Sequence, residues 1–245
     1  MDRADGRDGE TAVERVDDHP LDNPVWHSLK GPHAWASQGG DRARRYDPEI
    51  SVFSALADCE PHSWASLRRL VGPRGVAVLF RNDEPVPPTG WAVLARMPGY
   101  QLELDREARP SGPAPEVVRL GQTNVAAMAD LVARTNPGPF TARTIELGNY
   151  LGVFDGERLV AMAGERMRLP GYTEISAVCT DADYRGRGLA GHLTALIARD
   201  IAAAGSVPFL HVLAENPARH LYESLGFRER LANSVLIVRA DHDAN

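Results

Sequence analysis

Three strand-like runs separated by nothing longer than tight turns, followed by a glycine-rich turn that opens a long helix, constrain this chain most. Residues 150–154 and 158–166 flank Asp155-Gly156, a dipeptide favoured in tight hairpins, and Pro170-Gly171 turns the chain into a third run at 172–180. Strands joined this way are antiparallel, because a parallel pair needs a crossover of a dozen or more residues. The third run leads into Tyr184-Arg185-Gly186-Arg187-Gly188-Leu189-Ala190-Gly191. Leu189, Leu193, Leu196, Ile197 and Ile201 then recur at helical spacing until Gly205 supplies a stop. Glycines let consecutive amides crowd together, and the helix adds its own unpaired N–H groups and the positive end of its dipole. With Arg185 and Arg187 beside it, this turn is a seat for a pyrophosphate, so a phosphate-bearing cofactor is expected.

Around that core the periodicity predicts a strand at 117–120 and a helix from Thr123 to Arg134, with Val125, Met128, Leu131 and Val132 on one stripe. Residues 141–147 carry a weaker helical signal. A strand is expected at 208–214, then a helix capped by Asn216 with Pro217 at its first position, then a strand at 234–238. The order from residue 117 is β-α-β-β-β-α-β-α-β. Upstream, residues 1–20 have no hydrophobic periodicity and read as a solvated tail, with structure expected to begin near Pro24. Residues 21–104 form an N-terminal α/β half: short helices at 52–57 and 64–71, a buried strand at 75–80, and a hairpin of 91–97 and 100–104 about Pro98-Gly99. Residues 105–116, rich in proline, read as a linker to a second domain at 117–245.

The chain has 245 residues, enough for a large buried core, and a net charge of −6, which argues against a nucleic-acid or anionic-membrane surface. Its two cysteines, Cys59 and Cys179, form neither a disulfide framework nor a zinc spacing, and the expected location is the cytoplasm. No signal peptide or membrane-length apolar run is visible.

Gly186-x-Gly188-x-x-Gly191 also matches the dinucleotide fingerprint letter for letter, with Glu215 placed as a ribose-binding acid. Five residues separate the strand from the first glycine, however, and hairpin-linked strands do not suit a doubly wound parallel sheet. Arg185-x-x-Gly188-x-Ala190 instead resembles the phosphate turn of the GNAT superfamily of N-acetyltransferases. With Glu174-Ile175-Ser176-Ala177-Val178-Cys179-Thr180, residues 209–216 and Leu221-Tyr222-Glu223-Ser224-Leu225-Gly226-Phe227, the likeness covers about half the chain. It is nearest to the C-terminal domain of glycine N-acyltransferase-like proteins. The implied fold is α/β, a mixed central sheet with helices on both faces. The N-terminal half, which has no phosphate turn, is either a degenerate copy of the same fold or a cap, and the degenerate copy is preferred.

The resemblance implies that acetyl-coenzyme A is the cosubstrate, with no metal. The main chain of Val178, Cys179 and Thr180 would bind its pantetheine arm. Residues Arg185, Gly186, Arg187, Gly188, Leu189, Ala190 and Gly191 would hold the pyrophosphate, and Asn216 and Ala218 would lie beside it. Tyr222 takes the position of a general acid for the departing thiolate; the plain alternative is a core aromatic. Glu174 is the candidate base, since strand alternation puts it on one face with Ser176 and Val178; a strand-end charge, with water as the base, is the alternative. Phe140, Arg143 and Glu146 fall where family members place the acceptor wall. Cys179 reads as packing rather than as a nucleophile, and His192, His211 and His220 do not form a metal site.

The expected activity is acetyl transfer to a primary amine, on a small molecule, a protein N-terminus or a lysine, by direct attack in a ternary complex. A non-catalytic acyl-coenzyme A sensor and a dinucleotide-dependent oxidoreductase are the rival classes. No nucleic-acid or membrane partner is expected, and a homodimer is left open.

Overall fold

A computed structural model describes residues 19–83, 85–110 and 112–241; the tail expected at 1–20 lies outside them except for His19 and Pro20. In chain order the elements are α1 (Pro24–Lys30), β1 (Ser37–Gly39), β2 (Ala43–Tyr46), β3 (Phe53–Leu56), α2 (Pro61–Val71), β4 (Val76–Arg81) and β5 (Trp91–Leu104). They continue with β6 (Val118–Leu120), α3 (Val125–Thr135), β7 (Tyr150–Asp155), β8 (Arg158–Leu169), β9 (Tyr172–Thr180), α4 (Leu189–Ala203), β10 (Val207–Leu213), α5 (Ala218–Ser224) and β11 (Phe227–Ala240). The second half follows the expected order, and residues 105–116 hold no helix or strand among those described.

All strands join one sheet in the order β1-β2-β3-β4-β11-β5-β10-β9-β8-β7-β6. The two halves therefore exchange strands. Strand β5 of the first half pairs antiparallel with β10 of the second, and β11 of the second pairs antiparallel with β4 of the first. On either side of the central β5–β11 pair stands a parallel pair, β3–β4 and β9–β10, each joined by a helix (α2 and α4). Neither half can complete its sheet without the other.

The sequence expectations fail at two places in the first half. Residues 53–56 are a strand rather than a helix; a four-residue apolar run carries no period, and pairing with both β2 and β4 decides it. Pro98-Gly99 makes no hairpin, because β5 runs straight through it along β11. Gly99 serves close approach instead: a Cβ there would lie 2.7 Å from the carbonyl oxygen of Val212 on β10.

Residues alternate between two cores. On one face Leu193, Ile197 and Ile201 of α4 pack on Ala161, Ala163, Leu210 and Val212, while α2 packs on Leu56, Leu79, Leu236 and Val238. On the other, Val25, Trp26 and Leu29 of α1 cover Phe53, Phe80, Met167, Leu169 and Phe209, and Met128 and Leu131 of α3 cover Tyr150 and Met162. Helix α1 of the first half thus seals a strand of the second, so much of the apolar burial that stabilises the molecule is shared between halves.

Candidate active site

The site begins where two parallel strands stop pairing. Strand β10 matches β9 only at Val207↔Tyr172, Pro208↔Thr173 and Phe209↔Glu174; beyond that row the facing edges have no strand partner. Just past the split, Ala177 has φ 52 and the register against β8 shifts, so Ala177 and Val178 oppose a single residue of β8. A positive φ is unusual for alanine, and a bulge of this kind re-aims the side chains that follow. Ser176 and Ala177 consequently share one face, whereas Val178 turns to the core beneath α4. The face expected for Glu174, Ser176 and Val178 together is corrected by this bulge.

Beyond β9 the turn is held at its base by Asp181, 4% exposed, which pairs with Arg134 and with Arg158 (2.8 Å) and caps the amide of Asp183. The Tyr184 hydroxyl donates to the Asp155 carboxylate. Gly186 and Gly188 have φ of 76 and 74, and a Cβ on Gly186 would meet nothing within 4 Å, so glycine is required there by backbone conformation rather than by space. The amides of residues 186–191 donate to no backbone carbonyl among the described residues, and Gly188 opens the 15-residue helix α4. Arg187 lies over the Tyr184 ring at 4.6 Å, and Arg185 reaches the Thr180 carbonyl, leaving both cations on the exposed rim. The Thr180 hydroxyl at the end of β9 is buried without a partner. A run of free amides, two rim arginines and an unsatisfied hydroxyl fit the diphosphate of coenzyme A. Asn216 accepts from the amide of Ala218 at 2.9 Å and so caps α5, as the sequence indicated.

Tyr222 on α5 is 7% exposed and packs edge-on to Phe227. No hydrogen bond of the hydroxyl contributes to its titration, and it stands near Cys179 across the split. Burial pushes the phenol up to about 12, so it keeps its proton at neutral pH. The same effect pushes the Cys179 thiol up to about 11, which fits a packing residue and not a nucleophile.

Glu174, at the last row before the split, is committed to other partners. It is fully buried, and its carboxylate accepts two bonds from Arg166 (2.6 and 2.5 Å) and one from His211 Nδ1 (2.7 Å). Burial alone would raise its pKa, but the Arg166 charge and these bonds overcome that and hold it at about 2. A carboxylate so committed takes no proton from an amine. Gln101 explains the His211 tautomer: its amide nitrogen donates to the Leu21 carbonyl (2.9 Å) and to His211 Nε2 (3.1 Å), leaving Nδ1–H to donate to Glu174. Arg230 donates to Gln101 Oε1 at 3.0 Å. Arg166, Glu174, His211, Gln101 and Arg230 therefore form one chain across β8, β9, β10, β5 and β11. The His211–Glu174 link spans the two strands immediately beside their last backbone pair.

On the same face a small cavity of about 20 Å3 is lined by Phe140, Thr144, Tyr150, Arg166, Ser176 and Ala177. Phe140 lines this cavity, whereas Arg143 and Glu146 do not. Arg143 bonds Glu146 (2.8 and 3.0 Å) and reaches Asp47 and Glu49 of the first half, clamping one half to the other. Arg166 and His211 were missed because their partners come from other strands, and Tyr150 because no local pattern marks it. Among the described residues no cluster could hold a metal ion, and no helix is long and apolar enough to cross a membrane.

A protein from Novosphingobium aromaticivorans assigned to the GNAT family of acetyltransferases shares this fold with a TM-score of 0.83 and 41% identity, over 93% of this chain and all of that one. The chain belongs to the GNAT family. Residues 150–236 match the family described as FR47-like protein, which takes in the split strands and the phosphate turn. A GCN5-related N-acetyltransferase from Kribbella flavida has the same GNAT fold at 15% identity, with a TM-score of 0.63 over 89% of this chain and 94% of that one. No curated protein matches the chain in sequence. Membership sets aside the dinucleotide reading, as does the antiparallel β7-β8-β9 order that precedes the turn.

Proposed function

We propose that this chain transfers an acetyl group from acetyl-coenzyme A to the nitrogen of an amine by direct attack in a ternary complex. The observation that carries this is the split of β9 from β10 beyond Glu174 and Phe209, ending in the unpartnered amides of residues 186–191. The GNAT relatives named as acetyltransferases support the same reading.

Residues 186–191 would bind the diphosphate, and the free edge of β9 at Val178, Cys179 and Thr180 would hold the pantetheine arm as an added strand partner. A β9 amide beside the bulge would stabilise the negative charge that develops on the carbonyl oxygen. The amine nitrogen attacks the carbonyl carbon and gives its proton to water, since Glu174 is fully engaged. As the C–S bond breaks, its electron pair stays on sulfur and Tyr222 supplies the proton, later recovered from solvent. A neutral phenol with no competing hydrogen bond among the described residues suits that role.

Calorimetry with acetyl-coenzyme A and with NAD, followed by a thiol-release assay over a panel of amines, tests the proposal. Binding of acetyl-coenzyme A alone, with thiol released by at least one amine, is the expected result. Binding with no release by any amine would instead identify a sensor, and binding of NAD alone would overturn the site.

A further inference from the structure

The cavity beside Ser176 and Ala177 has hydrogen-bond donors on one side and an apolar wall on the other. Arg166 spends Nε and one amine on Glu174, and its remaining amine makes no hydrogen bond among the described residues. The Tyr150 side chain is 1% exposed, and its hydroxyl is buried with no partner. That hydroxyl is near enough to Arg166 to feel its charge, and Ser176 adds a second hydroxyl to the lining. Phe140 and the Pro137 to Pro139 loop close the apolar side. A guanidinium edge and two hydroxyls offer hydrogen-bond donors, and among the described residues no carboxylate lines the cavity, which favours an anionic oxygen. The volume, about 20 Å3, admits a single polar group rather than a ring.

The geometry points to this cavity as the seat of a carboxylate on the acceptor, so that the substrate is a small amine that also bears a carboxylate. This rests on the proposed acetyl transfer at Val178 and names the acceptor class for it. Ser176 and Ala177 lie one to two residues from Val178, about 4–7 Å along the strand, which is the reach from amine to carboxylate in an α- to γ-amino acid. Arg166 binds two carboxylates in this arrangement: Glu174 within the protein and the ligand's at its free edge. Tyr150 and Ser176 complete the set of donors.

Tyr150→Phe is the informative variant, since it keeps the ring and deletes only the unpartnered hydroxyl; Arg166→Gln would strand Glu174 and risk the fold. Thiol release is measured with matched acceptors: L-alanine, β-alanine, L-alaninamide and ethylamine. Wild type should prefer an amino acid over its uncharged counterparts at least tenfold in kcat/KM. The variant should raise KM for the amino acid about tenfold, collapsing that preference, while acetyl-coenzyme A still raises its Tm. In parallel, each compound is tested for Tm stabilisation without acetyl-coenzyme A. If no amine releases thiol but carboxylates still stabilise wild type and not Tyr150→Phe, the catalytic reading fails and the pocket stands. Equal turnover of ethylamine and the amino acids, or carboxylate stabilisation that survives the variant, overturns the inference.

Discussion

Glu174→Gln keeps the shape of the side chain and removes its charge, so it distinguishes a proton acceptor from a strand clasp. In the wild type the carboxyl is held at about 2 against an ordinary value of 4.5, with no exposure to solvent. By linkage that depression corresponds to about 3 kcal/mol of folding stability. An independent route agrees: removing one partner of a buried ion pair costs roughly 3–5 kcal/mol, here because the Arg166 charge loses its counter-ion. At 2–4 °C per kcal/mol for a chain of this size, the variant's Tm at pH 7 should fall by about 10 °C. Because the folded pKa is depressed, the contribution is complete above about pH 4.5 and is lost as pH falls towards 2. The Tm gap between the two proteins should therefore be constant above about pH 5 and narrow progressively as pH falls from 4.5 towards 2. The acid limb of the kcat/KM profile should survive in the variant, set by ionisation of the amine. A Tm within about 2 °C of wild type, together with a ~100-fold loss of kcat and a vanished acid limb, would restore Glu174 as the base and refute this reasoning.

Tyr222→Phe should lower kcat by about 100-fold and leave acetyl-coenzyme A affinity and Tm nearly unchanged, since the hydroxyl makes no hydrogen bond among the described residues; stopped-flow thiol release and calorimetry check both halves. Gly188→Glu should abolish binding of coenzyme A in calorimetry, because it strains a residue at φ 74 and sets a carboxylate against the diphosphate. Arg143→Ala should change Tm by no more than about 2 °C and leave acceptor KM alone, because its partners are partly exposed carboxylates of the interhalf clamp.

The candidate site was legible in sequence where its chemistry is local. The glycine turn, the helix it opens and the Asn216 bond to the Ala218 amide are each contained within a few residues, and hairpin dipeptides announced the antiparallel order of β7, β8 and β9. No local pattern shows how Glu174 and Arg143 are engaged, because each has a partner distant in sequence, while Glu146 is tied to Arg143 three residues before it. Glu174 meets His211 37 residues away, and Arg143 meets Glu49 94 residues away.

By itself the sequence determined the order of elements from residue 117 and the placing of a glycine turn between strand and helix, because hydrogen bonds within turns and helices reach only a few residues. The exchange of β5 and β11 between halves, the bulge that turns Val178 over, and the polar chain through five strands were decided by tertiary structure. Strand pairing is a contest among all exposed edges, and burial fixes a charged side chain's partner only once every strand is in place. For that reason a carboxylate that reads as a free base along the chain is, in the folded protein, the clasp beside an open cleft.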